Sequence, residues 1–71
     1  MQQESFEIFV NGQTRRIPPD QSVLALLESL NISSDRVAVE LNKSIVRKRL
    51  WRETIVTRGS QVEIVEFVGG G

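Results

Sequence analysis

Apolar and polar positions alternate along Phe6-Glu7-Ile8-Phe9-Val10, setting Phe6, Ile8 and Val10 on one face and Glu7 and Phe9 on the other. This is the period-two pattern of a half-buried strand. Asn11-Gly12 follows; both residues accept the positive φ of a type I′ turn, so the chain is expected to fold back as a hairpin. The return strand covers Gln13–Ile17 and stops at Pro18-Pro19, because proline has no N–H to give to a ladder. The period then changes. Val23, Leu26, Leu27 and Leu30 stand at i, i+3, i+4 and i+7, the stripe of an amphipathic helix facing a core. Asp20 or Ser22 can cap its start, and it fades at Asn31. Ser33-Ser34-Asp35 reads as loop.

Alternation resumes at Val37-Ala38-Val39-Glu40-Leu41, with Val37, Val39 and Leu41 inward. Asn42-Lys43 turns into a short strand at Ser44-Ile45-Val46, and Leu50-Trp51 belongs to a brief turn or 3₁₀ segment covering one end of the core. Trp51 reads as packing. Arg58-Gly59-Ser60 is a turn signal before a last strand over 61–67. One helix with a mixed sheet of four or five strands predicts a two-layer α+β domain. Its compact form is the β-grasp: the helix crosses one sheet face, and the last strand lies parallel to the first.

That architecture bears on the last strand. If Val62 and Ile64 face the core, Glu63, Val65 and Phe67 lie on the face that one helix cannot cover. Phe9, outward on the first strand, is expected near them. Apolar side chains grouped there, with Val68 beyond, predict a protein-docking patch. The competing register buries Val65 and Phe67 through a bulge near the strand end; the pattern alone leaves both open.

Composition narrows the chemistry. The 71 residues contain neither Cys nor His, which removes disulfides, thiol nucleophiles, imidazole acid–base catalysis and the usual zinc sites; no metal site and no bound cofactor are expected. Nine basic residues balance nine acidic ones, so bulk charge points to neither nucleic acid nor an anionic membrane. The local bias at Arg47-Lys48-Arg49 and Arg52 reads as a solvated turn, with a contact for an acidic partner as the alternative. No apolar run resembles a signal peptide or a membrane span, and a soluble cytoplasmic protein, monomeric on its own, is expected. The whole of 1–71 reads as one domain, with 68–71 as a flexible glycine tail.

The sequence closes on Val68-Gly69-Gly70-Gly71. Glycine loses more freedom on ordering than any other residue. A glycine run after a strand therefore suits a backbone that must enter a narrow space, with Gly69 and Gly70 as the thread and the Gly71 carboxylate as the group delivered. Three extended residues reach roughly 10–11 Å.

Val10-Asn11-Gly12, Ser22-Val23 with Leu26-Leu27, Val37-Ala38-Val39-Glu40 with Asn42, Ile45-Val46, Trp51, Val62-Glu63-Ile64-Val65 and the closing Val68-Gly69-Gly70-Gly71 occur in order and at family-like spacing. In these the chain resembles the ThiS family of ubiquitin-like sulfur carriers. Two positions depart from the family pattern: Arg47 stands where Pro is frequent, and Gly59-Ser60 where Gly-Asp is common. Both lie in turns. The resemblance implies a carrier rather than an enzyme. A ubiquitin-activating-type adenylating enzyme would use ATP to convert the Gly71 carboxylate to an acyl-adenylate. Sulfur from a donor enzyme, originating in cysteine, would replace AMP, and the thiocarboxylate would serve thiazole synthase in making the thiazole of thiamin. A molybdopterin-type or other sulfur-metabolite carrier, a ubiquitin-like modifier joined to lysines through Gly71, and a non-covalent β-grasp adaptor remain alternatives, because fold alone does not separate them.

Overall fold

The computed structural model describes residues 4–67. Two antiparallel strands, β1 (Phe6–Val10) and β2 (Gln13–Ile17), lead into a helix, α1 (Val23–Ser29). A 3₁₀ turn (Ser34–Arg36) precedes β3 (Val37–Leu41) and β4 (Ser44–Val46). A second 3₁₀ turn (Lys48–Leu50) and a long connection then reach β5 (Gln61–Glu66). The five strands form one sheet in the order β2-β1-β5-β3-β4. β5 runs parallel to β1 and antiparallel to β3, which is the β-grasp arrangement. The last strand is therefore the central one.

Turn chemistry sets both hairpins. Asn11 and Gly12 take φ of 50° and 83°, and Asn42 and Lys43 take 52° and 72°, the left-handed values a two-residue type I′ turn requires. Asparagine tolerates them through its short polar side chain, whereas Lys43 adopts them against its steric preference. The helix start is decided for Ser22: its Oγ accepts the Ala25 N–H at 3.0 Å, while Asp20 sits in the preceding turn at φ 64°. The helix ends because Asn31 turns left-handed at φ 58°. Asn31 N–H then donates to Glu28 O, and Ile32 N–H to Leu27 O, the paired bonds of a Schellman cap.

α1 lies on one sheet face, with Val23, Leu26 and Leu27 buried and Leu30 half-buried against the core. Sheet residues Ile8, Val10, Val39, Val62 and Ile64 meet them. Fully burying each of these side chains contributes about 1.5–3 kcal/mol. Trp51 closes one end of this core, 2 % exposed, and its Nε1–H donates to Val46 O at 2.8 Å. Val56, which shows no periodicity in the sequence, is completely buried. It is drawn in because its N–H donates to Gln21 O and the neighbouring Ile55 bridges Ser22.

Candidate functional site: the exit of the central strand

β5 places its side chains by simple alternation. Val62 and Ile64 point into the core, whereas Val65 and Phe67 are 57 % and 58 % exposed on the open face. The strand is regular here: Val65 pairs with Ala38, Glu66 with Val37, and Phe67 N–H donates to Arg36 O at 2.8 Å. Of the two registers compatible with the sequence, the one without a bulge is the one formed. It leaves Val65, Ala38 and Phe67 side by side where the chain leaves the sheet.

Phe9 does not join them. It pairs with Gln61 at the beginning of β5, four residues before Val65, or about 13 Å along the strand. Glu63 lies on the same face between them. The expectation that Phe9 adjoins Val65 and Phe67 is corrected for a geometric reason: β1 runs parallel to β5 but overlaps only its first residues. Gly69, Gly70, Gly71 and Val68, named above as thread, reactive end and docking extension, lie outside the described residues, so the expectation of a flexible tail over 68–71 falls outside them too.

Two features of this face escape the sequence pattern. Ile45 on β4 is 73 % exposed, and its pairing with Glu40 sets it on the open side, two strands from β5. A three-residue strand is too short for alternation to reveal this. Glu40 and Glu63 stand directly opposite each other across β3 and β5, a like-charge pair that costs stability. Arg47, Lys48, Arg49 and Arg52 are exposed, and Lys48 Nζ lies 3.6 Å from Asp35. Among the described residues no group of acidic side chains is arranged to hold a metal ion, and no helix is long and apolar enough to cross a membrane.

The chain thus presents a strand held at the centre of a β-grasp sheet, leaving at an apolar corner and continuing into a glycine run. The sequence model of the ThiS family matches residues 8–71, which includes that run. The chain belongs to the ThiS family. The sulfur carrier protein ThiS of Escherichia coli K12 is 31 % identical over 65 residues, covering 92 % of this chain and 98 % of that protein. A crystal structure of the thiamine biosynthesis protein ThiS from Geobacter metallireducens superposes with a TM-score of 0.81 at 30 % identity, covering 93 % of this chain and all of that one. Thiazole synthase of Paramagnetospirillum magneticum is 40 % identical over 65 residues. The chain spans only 20 % of the length of that thiazole synthase. ThiS membership accounts for the β-grasp topology and for the match running through the final glycines.

Proposed function

We propose that this ThiS-family chain is a sulfur carrier for formation of the thiamin thiazole, with the Gly71 carboxyl as the atom group that is activated and loaded. A carboxylate is ionised near neutral pH and is a poor electrophile. In the proposed sequence a carboxylate oxygen attacks the α-phosphorus of ATP on a partner adenylating enzyme, expelling pyrophosphate. A sulfur nucleophile at the oxidation level of hydrosulfide, drawn from a donor enzyme, then attacks the acyl carbon. The C–S bond forms as the C–O bond to AMP breaks, leaving a thiocarboxylate. These steps ask neither an imidazole nor a thiol of the carrier, in keeping with a sequence free of His and Cys.

The observation that carries this reading is the central strand leading from an exposed Val65–Phe67 corner into a glycine run that falls within the family match. An extended glycine backbone is the narrowest that a partner can thread. The partner offsets the entropy of ordering it by docking the folded body. Thiazole synthase as the acceptor is supported by the Paramagnetospirillum relative, a protein of that name in which a segment like this chain makes up a fifth of the length.

Incubation with ATP, a sulfur donor and the host's adenylating enzyme, followed by intact-mass analysis, tests the proposal. Exchange of one oxygen for sulfur at Gly71, and transfer of that sulfur when thiazole synthase is added, are the expected results. Conjugates on other proteins in place of sulfur exchange would identify a modifier. Sulfur exchange without transfer to thiazole synthase would assign another acceptor.

A further inference from the structure

We infer that Asn11 is a positioning residue for the reactive end of the chain, acting through Ile64; the inference rests on the carrier reading above. Asn11 lies in the β1–β2 turn, 53 residues away from Ile64 in sequence. Its Oδ1 accepts the Ile64 N–H at 2.8 Å, and its Nδ2 donates to the Ile64 carbonyl at 3.2 Å. The carboxamide thus imitates one more residue of β1.

The turn itself does not need this amide. Glycine at the same position supports a type I′ turn equally well, so the carboxamide is free for a second role. Along β5 the backbone groups of alternate residues point to alternate sides. On the β1 side, Ser60 O accepts from Phe9 N–H, Val62 O from Asn11 N–H, and Ile64 is held by the Asn11 side chain. On the β3 side, Gln61 O accepts from Asn42 N–H, and Phe67 N–H donates to Arg36 O. Among the described residues, Asn11 is therefore the last hold on the β1 side before the chain leaves the sheet; Val65 and Phe67 point to β3, and the backbone of Glu66 faces the side that β1 no longer reaches.

Phe67 lies three residues past Ile64, or about 10 Å along the strand, so a tilt of about 10° at Ile64 displaces it by roughly 2 Å. Misplacement of that size is enough to lower the rate of a positioned reaction by one or two orders of magnitude. Asn11 fixes the exit line of β5 and, with it, the starting point of the Gly69–Gly71 thread. Asn42 supplies the control. It occupies the equivalent position of the second type I′ turn, and its Oδ1 accepts Gln61 N–H at 2.8 Å, at the far end of the same strand.

The test compares Asn11→Gly with Asn42→Gly, both of which retain a turn-compatible residue. Amide hydrogen exchange should accelerate by about tenfold or more at Val65 and Phe67 in Asn11→Gly, and near Gln61 in Asn42→Gly, since local opening reports local support. Asn11→Asp keeps the turn and the acceptor but sets a carboxylate oxygen against the Ile64 carbonyl, and it should loosen the same two amides. In the adenylating assay, well below both melting temperatures, kcat/KM for Gly71 should fall about tenfold in Asn11→Gly and stay within about twofold of wild type in Asn42→Gly. Equal losses in the two variants, or a uniform rise in exchange at every amide, would reduce Asn11 to a stabilising residue and overturn the inference. If the wild-type protein is not adenylated at all, the carrier reading fails, and the exchange pattern still decides whether Asn11 fixes the strand exit.

Discussion

Truncating Phe67 to alanine separates docking from folding, because the structure assigns most of this ring to neither core nor helix. A phenylalanine carries about 200 Å² of buriable surface. With the residue 58 % exposed, the fold covers about 80 Å² of it, worth at most about 2 kcal/mol at ~25 cal/mol/Å² and less once a compact unfolded chain is allowed for. Phe67→Ala should therefore destabilise by about 1 kcal/mol, lowering the melting temperature by roughly 4–8 °C in a domain of this size. If the adenylating enzyme covers the ring fully, it removes a further ~120 Å² from water. That contribution is about 3 kcal/mol, or roughly 100-fold in Kd. Thermal unfolding followed by circular dichroism and titration calorimetry against the enzyme read the two effects independently. A Kd unchanged within about threefold would refute docking at this corner. A melting temperature lower by more than about 15 °C would show that Phe67 belongs to the core after all.

Other outcomes follow from the same geometry. Trp51→Phe removes the indole N–H from the Val46 carbonyl and should cost about 1–3 kcal/mol in urea unfolding; a loss below about 0.5 kcal/mol would mean that another donor replaces it. Glu63→Thr relieves the Glu40–Glu63 opposition and should raise stability by a few tenths to about 1 kcal/mol, with a smaller gain in high salt. A gain independent of salt would point to strand propensity as its source. Adding one alanine after Gly71 moves the carboxylate beyond the proposed point of attack. Pyrophosphate release should then be lost while the circular dichroism spectrum stays unchanged, and retained turnover would contradict the threading argument.

The elements were legible in the sequence where the physics is local. Asn11-Gly12 and Asn42-Lys43 mark turns through their tolerance of positive φ or their place between alternating runs, and the Val23-Leu26-Leu27-Leu30 stripe marks the helix. The inward positions of β5 could be paired with an open face as soon as a single helix had to cover the sheet. Other features depend on neighbours distant in the chain. Val56 becomes core through Gln21, and Ile45 becomes exposed through its pairing with Glu40. The extent of overlap between β1 and β5 separates Phe9 from the exit corner, and no residue near Phe9 encodes that overlap.

Asn11 shows where the division falls. By itself the sequence determined that Asn11-Gly12 would turn, that one helix would leave a sheet face bare, and that a glycine run would follow the last strand. Each follows from backbone sterics or side-chain period within a few residues. Only the tertiary structure decided that β1 overlaps no more than the start of β5, that Val65 and Phe67 lie outside rather than in a bulge, and that the Asn11 amide closes on Ile64. A carboxamide's preferred partner is not written in its own neighbourhood. It is whichever backbone group the assembled sheet leaves unpaired within reach.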